Sequence, residues 1–522
     1  MLTEKTSTSI NAIHVKLDDY AEKFLSGSGW VQTGVWLALI TLLKFPDLLE
    51  PPVWDSAMGV FPPAIYLYES NFDIFSLLRE SSWWQGGPNV HSMSLLTWFI
   101  AIVMVATQSP VVTFFVVHLL TFTAVAWALF LYTRTLFSHR INPSTIVAAG
   151  LVVLLMPVVL VQVGYMYEEI LVLVFSIAAW DRWRHDKPIS ALFYCSIGIF
   201  TKLTGVPVAL SIMLAIMMCP KRWNLRRGLV FALIPAVVYI NLSLPAWLGS
   251  ELIQEGKWLV NSYYRDAASR LFAVPDLLLV LYLGVAGSIL FCIRLVSKKR
   301  LLEFISNPSD ENSSIVVCLL MPVVFITGVI FQVHNEMLLL SRYLVPIVPF
   351  AIGSALFYTQ LVNKQQAALM LLLAIAGFSA INSYGSFYPE NSRSFSVIER
   401  SHSYRDIHML QKDLLNAIEN SRDDIPIYVT REIWYMASHP MMGYITREKP
   451  DLRPIFRDDY RNRELHEYPD AFILILSYGG HGVQTMKNIY QLAETSGLYQ
   501  ISKNVFERAE FKAVLIHLKM KE

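Results

Sequence analysis

Charged side chains are scarce in this sequence. Asp, Glu, Lys and Arg make up 16% of its 522 residues, whereas hydrophobic residues make up 54%. A soluble globular protein carries about 25% charged residues. The mean hydropathy is +0.44, and apolar windows of roughly 18 residues or more recur along the chain. The composition therefore predicts a polytopic α-helical membrane protein, and a net charge of +1 gives no indication of a nucleic-acid partner.

Cysteine is also scarce, and recognisable metal motifs are missing. The four cysteines stand singly in or beside apolar segments, which excludes a disulfide framework and a zinc pattern and predicts packed thiols: Cys195, Cys219, Cys292 and Cys318. No clear Asp-x-Asp motif and no internal repeat is visible. The first 27 residues are polar, and no signal-peptidase site follows the first apolar run, so this run is interpreted as an uncleaved span.

The segment 46–91 is too polar to lie in lipid and too rich in aromatic residues and prolines for a simple tether. Its only basic residue is Arg79. Its acidic residues are Asp47, Glu50, Asp55, Glu69, Asp73 and Glu80. Such a loop after a first span suits an enzyme that works at the lipid surface. Within it, we expect Asp47, Glu50 and Glu80 to lie on the surface.

The apolar pattern predicts about eleven spans, with the N-terminus inside. They are about 29–45, 110–133, 142–163, 169–181, 188–201, 205–219, 228–247, 275–294, 314–333, 342–361 and 366–382. Residues 92–107 are interpreted as an interfacial or re-entrant helix of the first outer loop, 46–109. With that choice, the inner loops hold more than twice as many lysines and arginines as the outer loops, as the positive-inside rule requires. If 92–107 crossed the membrane, the bias would invert.

The predicted organisation has three parts: a cytoplasmic tail over 1–28, a transmembrane module over 29–382 and a small soluble α/β domain over 383–522. In the last part, apolar residues at spacings of three and four predict a helix over 405–421. Strands are predicted over 425–430, 471–477 and 511–518, and a second helix over 483–497. By parity, this domain lies on the outer face.

Four sites in the module place charge at or near membrane depth, where charge is costly and therefore a functional hypothesis. They are Asp55, the pair Glu168 and Glu169, Lys202 and Arg342. All fall on the predicted outer side. A carboxylate can take a proton from a hydroxyl, and lysine and arginine can hold a phosphate and stabilise the charge on a leaving phosphate. The pattern favours transfer of a group from a lipid-linked phosphate.

Each of these residues also has a plain structural explanation. Asp55 could cap the following helix, and Glu168 and Glu169 could form a solvated turn. Lys202 could extend its amine to the interface, and Arg342 could anchor the tenth span there.

The order of these residues resembles the GT-C (C-fold) membrane glycosyltransferases, which include protein O-mannosyltransferases and lipid A aminoarabinose transferases. The shared pattern is PVWDSAMGVFPPAIYL with an acidic residue after span one, then VGYMYEEILVLVF, FTKLTGVPVAL and SRYLVPIVP. It covers about residues 29–382, with juxtamembrane helices near 60–80 and 92–107. The sequence departs from many members in one respect: Ser56 follows Asp55 where they have a second carboxylate.

The resemblance implies inverting transfer of a sugar from a polyprenyl-phosphate donor to a glycan, lipid or protein acceptor outside the cytoplasm. It implies that Asp55 is the general base, that Lys202 and Arg342 hold the donor phosphate, and that Glu168 or Glu169 orients a substrate. The predicted substrate contacts are Trp54, Tyr66, Asp73, Tyr165 and Tyr343. No cofactor is firmly implied, and the need for a divalent metal stays open. The expected location is a plasma membrane, namely a bacterial inner membrane.

Three other functions stay open. A transporter or flippase for lipid-linked glycans would need a polar pathway through the spans, which here are nearly free of charge. A glycan ligase or polymerase using a diphosphate donor would carry its large loop late in the chain. A catalytically silent protein that binds a lipid-linked glycan would explain the missing second carboxylate.

Overall fold

The structure is a computed structural model, and it describes most of the helical part of the chain. The described residues are 15–52, 56–74, 94–218, 275–297, 310–334, 341–384, 402, 404–421, 425–437, 439–447, 451–455, 470–476, 491, 493–508 and 511–521. Several predictions fall outside these residues, namely those on Trp54, Asp55, Glu80, Cys219, the span 228–247 and most of the helix 483–497.

Thirteen helices are described over residues 29–384. They are α1 (Gly29–Lys44), α2 (Phe61–Glu69), α3 (Leu95–Thr107), α4 (Pro110–Phe137), α5 (Pro143–Leu155), α6 (Pro157–Val163), α7 (Glu168–Arg184), α8 (Pro188–Thr201), α9 (Val206–Met218), α10 (Pro275–Ser297), α11 (Asp310–His334), α12 (Val348–Leu361) and α13 (Gln365–Tyr384). Serine side chains cap the N-termini of two of these helices. The Ser28 hydroxyl accepts from the backbone N–H of Val31, and the Ser94 hydroxyl accepts from that of Leu96.

Three of the described helices are long and apolar enough to cross a membrane: Pro110–Phe137, Arg342–Leu361 and Gln365–Ser383. The second of these joins a 3-10 turn, Ser341–Ile347, to α12. A fourth candidate is the pair α5 and α6, which are bent by 62° relative to each other. Five further apolar helices are shorter. Ten of the eleven predicted spans coincide with described helices, but their number as membrane crossings stays a prediction.

Pro157 accounts for the break between α5 and α6. It is the first residue of α6 and has no backbone N–H to continue α5, so the helix stops before it. The preceding residue, Met156, has an extended backbone (φ −54°, ψ 123°), as a residue before proline prefers. The predicted continuous span over 142–163 is therefore two helices.

The predicted first outer loop, 46–109, contains a helix at each of the two places where a juxtamembrane helix was predicted. α2 lies within the predicted region 60–80 and follows a π-helical turn, Ser56–Val60. α3 has 13 residues, too few for an ordinary span, and ends at Gln108 in the left-handed conformation. A connection of two residues then leads into α4.

The C-terminal part contains the helices α14 (Tyr404–Glu419) and α15 (Arg431–Met436) and a five-stranded mixed sheet. The strands are β1 (Ile427–Thr430), β2 (Leu452–Ile455), β3 (Asp470–Leu476), β4 (Tyr499–Arg508) and β5 (Phe511–Met520). Their order is β2-β1-β3-β5-β4. β1 pairs in parallel with β2 and β3, and β5 pairs antiparallel with β3 and β4. The predicted strands correspond to β1, β3 and β5; β2 and β4 were not predicted.

Among the described residues, apolar side chains form two cores. The larger lies among the long helices and includes the buried thiols of Cys195 and Cys318; Cys292 is exposed, so the expectation of a packed thiol is wrong there. The second core joins α2, α3 and the turn after α6 to α14 and the sheet. The C-terminal part is thus packed on the first outer loop through shared apolar burial.

Candidate functional site

Four predicted charged residues come together at one end of the helical bundle. Only residues 185–187 connect α7 to α8, so the two helices run antiparallel. The start of α7, with Glu168 and Glu169, therefore meets the end of α8, where Lys202 is the C-cap residue. Negative charge at a helix N-terminus and positive charge at a C-terminus both complement the helix dipole. Arg342, in the 3-10 turn before α12, completes the group.

The distances show a compact network of two carboxylates and two cations, which we call the charge cluster. Lys202 Nζ lies 2.8 Å from Glu169 Oε1 and 3.4 Å from Glu168 Oε2. Arg342 Nε lies 3.3 Å from the same Glu169 oxygen. Both glutamates and Arg342 are buried, and the side chain of Lys202 is 16% exposed. The explanation of Glu168 and Glu169 as a solvated turn is therefore wrong.

Aromatic rings surround the two cations. The guanidinium of Arg342 lies 5.0 Å from the centre of the Tyr167 ring and 5.4 Å from that of Tyr343. Lys202 Nζ lies 5.3 Å from the centre of the Tyr343 ring. Cations within about 6 Å of a ring centre are attracted to its face. The rings also exclude water, which strengthens the interaction of the cations with any anion nearby.

The charges of the cluster support one another. Burial alone would lower the pKa of Lys202, but the carboxylates of Glu169 and Glu168 raise it above its ordinary value. Lys202 is therefore a cation at neutral pH. Lys202 and Arg342 hold carboxylates at the observed distances, and the same donors could hold a phosphate.

The turn over 164–167, between α6 and α7, brings Glu168 to the cluster. The Ser56 hydroxyl, from the first outer loop, donates to the carbonyl oxygens of Tyr165 (2.5 Å) and Met166 (3.2 Å). Met166 has a left-handed backbone (φ 54°), which a side chain disfavours. His118 of α4 contacts the Gly164 carbonyl at 3.2 Å. The turn is thus held from both sides.

A second polar network lies behind this turn. Asp47 forms a buried ion pair with Lys44, and Arg405 of α14 donates to it at 2.9 Å. Lys44 also donates to the Tyr404 hydroxyl at 3.1 Å. Burial would raise the pKa of Asp47, but Lys44 and Arg405 hold it well below its usual range. Asp47 is buried, so the expectation that it lies on the surface is wrong. Local sequence could not show this burial, because one of the two cations that neutralise Asp47 is Arg405, which is 358 residues further along the chain.

Glu50 continues this network along α14. Its carboxylate lies against His408 and accepts from Lys412 at 2.6 Å. Next to it, the Tyr444 hydroxyl donates to the Pro52 carbonyl at 2.8 Å. Glu69, at the end of α2, pairs with His439 at 2.6 Å. We call this set the junction: acidic residues of the first outer loop on one side, and Arg405, His408, Lys412 and His439 on the other.

The predicted substrate contacts are spread over both regions. The Tyr343 ring lies beside Lys202 and Arg342 of the charge cluster. Tyr165 is buried, with its ring centre 5.2 Å from that of Tyr167 and 4.4 Å from that of Tyr404. Tyr66 is half-buried in α2, and Asp73 is exposed after that helix. Trp54 and Asp55 lie outside the described residues, whereas Ser56, the next residue, contacts the turn before Glu168 as described above.

Sequence reasoning missed Tyr167, which stacks on Arg342, and the whole junction. A signal for the junction was present. Arg405, His408 and Lys412 are spaced by three and four, which places them on one face of a helix. Asp47 and Glu50 are spaced by three in a loop with a single basic residue. Opposite charges with matching spacing indicate that the two segments can pair.

The described residues contain no group of three or more His, Cys, Asp and Glu side chains that could hold a metal ion.

Comparison with known proteins gives structural matches only. No family model matches the sequence, and no curated protein matches it. The solved structures that match include ArnT from Cupriavidus metallidurans bound to undecaprenyl phosphate and the same protein in the apo state. Each match covers 94% of this chain and 98% of that one, at 13% identity, with TM-scores of 0.43 and 0.41.

Both matches report a likeness to ArnT along nearly the whole chain. The scores carry no argument about the activity of this chain. The function proposed below is therefore built on the chain's own residues.

Proposed function

We propose that this protein is a membrane glycosyltransferase that moves a sugar from a polyprenyl-phosphate donor to an acceptor hydroxyl outside the cytoplasm. The observation that carries the proposal is the charge cluster. Two cations, the partly exposed Lys202 and the buried Arg342, lie at the end of the bundle among aromatic rings. Such donors in a poorly hydrated place suit the headgroup of a lipid-linked phosphate and stabilise the charge that grows on it as it leaves.

The proposed reaction is a single displacement. The acceptor oxygen forms a bond to the anomeric carbon of the sugar, and the bond from that carbon to the phosphate oxygen breaks. The electron pair of this bond leaves with the polyprenyl phosphate, and the hydroxyl proton passes to Asp55. Attack from the face opposite the phosphate inverts the anomeric carbon. Lys202 and Arg342 hold the phosphate, and Glu168 orients a substrate hydroxyl.

Asp55 keeps its role as general base because of its place in the sequence. The hydroxyl of Ser56, the next residue, donates to the turn that carries Glu168. We further propose the topology predicted above: the tail over 1–28 in the cytoplasm, and residues 383–522 outside. In that arrangement the junction would connect the first outer loop to a domain on the same side of the membrane.

Transfer from labelled polyprenyl monophosphate sugars, with a membrane lipid extract as the source of acceptors, tests the proposal. We expect Asp55→Asn to lose at least about a hundredfold in rate, the lower end for a positioned base. Asp19→Asn is the matched control, because Asp19 forms an exposed ion pair with Lys23 before α1 and lies apart from the charge cluster. Unfolding midpoints in detergent check that both variants fold.

Two other outcomes lead to different conclusions. Equal rates for the wild type and Asp55→Asn would remove Asp55 as the base and favour Glu168 or Glu169. Failure of the wild type to turn over a donor that it binds would favour a silent binder or a transporter of lipid-linked glycans.

A further inference from the structure

One oxygen atom in the charge cluster is shared by both cations. Glu169 Oε1 lies 2.8 Å from Lys202 Nζ and 3.3 Å from Arg342 Nε. The Glu169 side chain is 1% exposed, so this oxygen is enclosed between its two partners. An oxygen of a donor phosphate that is to be held by both cations must lie in about the same position. The carboxylate therefore takes the place that the proposed function assigns to the ligand.

The charge of the cluster leads to the same conclusion. The described groups are two carboxylates and two cations, whose formal charges cancel. A phosphate added to these four groups would place further negative charge beside two buried carboxylates, which is unfavourable. Displacing a carboxylate from the cations relieves this repulsion.

Glu168 is less suited than Glu169 to occupy the phosphate position. Its carboxylate contacts Lys202 at 3.4 Å, a longer distance than the 2.8 Å of the Glu169 contact. Glu169 contacts both Lys202 and Arg342. Its shorter contact with Lys202 and its contact with Arg342 make Glu169 the residue at the position that a phosphate oxygen would take.

We propose that Glu169 is an internal competitor of the donor phosphate: it occupies the phosphate position in the ligand-free protein and is displaced when the donor binds. This inference rests on the proposed function, which assigns a phosphate to Lys202 and Arg342. Glu169 is then a positioning residue. It keeps the two cations in place before the donor arrives, and its return weakens the hold on the phosphate product, which promotes release.

A direct titration distinguishes competition from simple support. Native mass spectrometry of the full-length protein in detergent, titrated with undecaprenyl phosphate, reports the fraction with lipid bound. We expect Glu169→Gln to bind at least about tenfold more tightly than the wild type, the equivalent of one charge-assisted hydrogen bond. The amide keeps the size of the side chain and removes the competing charge. Glu168→Gln is the matched variant, and we expect a smaller gain.

A second variant at the same position distinguishes loss of competition from a change in folding. Glu169→Asp keeps the charge but draws the carboxylate back by one methylene, and it should tighten binding by less than Glu169→Gln. In a Lys202→Met background, the gain from Glu169→Gln should shrink, because one of the two contested contacts is gone.

The outcomes separate the two proposals. Tighter binding by Glu169→Gln supports the competitor. Equal or weaker binding by Glu169→Gln and Glu169→Asp, with the wild type binding normally, overturns the competitor proposal. Glu169 would then only hold the two cations in position, and the proposed donor site would stand. If neither the wild type nor Glu169→Gln binds the lipid, the proposed function fails, and this inference fails with it.

Discussion

Gly164 lies against the buried pair of Lys44 and Asp47. A β-carbon at this position would lie 2.8 Å from Lys44 Nζ and closer still to an Asp47 oxygen. Neither partner can yield easily, since both are buried and Arg405 also holds Asp47. The absence of a side chain at residue 164 thus lets the turn before Glu168 approach the network behind it.

We expect Gly164→Ala to destabilise the protein by about 1–3 kcal/mol, the usual cost of overpacking a buried site. The unfolding midpoint in detergent measures the effect. Gly34→Ala is the control: nothing lies within 4 Å of a β-carbon at residue 34, so this variant should be neutral or slightly stabilising, as alanine in a helix is. Equal midpoints for Gly164→Ala and the wild type would contradict the close approach.

Arg342 combines a charge with a flat surface. Its guanidinium contacts Glu169 and lies over the rings of Tyr167 and Tyr343. Lysine keeps the charge but loses the planar stacking and the forked donors. The geometry at residue 342 therefore favours arginine over lysine, although the two side chains carry the same charge.

We expect Arg342→Lys to weaken the binding of undecaprenyl phosphate by about tenfold, the scale of one cation–π or forked contact. Arg134→Lys is the matched control. Arg134 pairs with Asp181 near the other end of α7, roughly 20 Å along the helix from Glu168 at 1.5 Å per residue. A similar loss in both variants would show a general effect of removing guanidinium groups and not a phosphate contact.

At the scale of elements, the junction sets how α14 lies on the first outer loop. Carboxylates of the first outer loop meet basic side chains more than three hundred residues away: Asp47 with Arg405, Glu50 with His408 and Lys412, and Glu69 with His439. The apolar core around α2, α3 and α14 lies beside them. Apolar burial supplies the attraction, and the ion pairs select the orientation of one element on the other.

The junction predicts a pH dependence of stability. Burial would raise the pKa of Glu50, but His408 and Lys412 lower it from 4.5 to about 2. A carboxylate whose pKa is lowered by folding stabilises the protein above its unfolded pKa, and this contribution is lost as the pH falls through the folded pKa. Burial also lowers the pKa of His408, so charging His408 opposes folding as the pH falls below 6.5.

We expect Glu50→Gln to lower the unfolding midpoint above pH 4.5, and the two midpoints to converge as the pH falls towards about 2. Thermal unfolding across this range checks the expectation. Asp19→Asn removes an exposed ion pair of a kind that contributes little, so it should follow the wild type at every pH. A constant difference between wild type and Glu50→Gln down to the lowest pH would remove Glu50 as the titrating group.

At the scale of the whole molecule, the predicted eleven spans would place residues before α1 and residues of the sheet on opposite sides of the membrane. Ser26, before α1, and Ser502, on β4, are both exposed. In a variant without its native cysteines, we expect Ser502→Cys to react with a membrane-impermeant maleimide in intact spheroplasts. Ser26→Cys should react only after permeabilisation. Labelling of both under the same condition would require an even number of crossings.

Local patterns were enough for much of the fold. Apolar runs located the helices over 29–384, because a membrane helix must satisfy its backbone internally whatever its neighbours are. Alternation and spacing likewise located α14, β1, β3 and β5. The strand β4 was missed because its residues are mostly exposed and polar, and β2 because four residues that include Pro454 give little signal.

The charge cluster was predictable in its members but not in its geometry. Glu168, Glu169, Lys202 and Arg342 stand out in the sequence because charge beside apolar spans is costly. Which glutamate touches which cation depends on the rotation of α7 against α8 and on the 3-10 turn before α12, and neither follows from spacing.

The sequence by itself therefore determined that the chain is rich in apolar helices, the places of those helices and the short set of charged residues beside them. Only the tertiary structure decided that Glu169 lies between both cations and that Asp47 is buried against Lys44 and Arg405. The physical reason is that hydropathy and helix periodicity act over a few residues, whereas an ion pair is decided by whichever distant segment folding brings within a few ångströms.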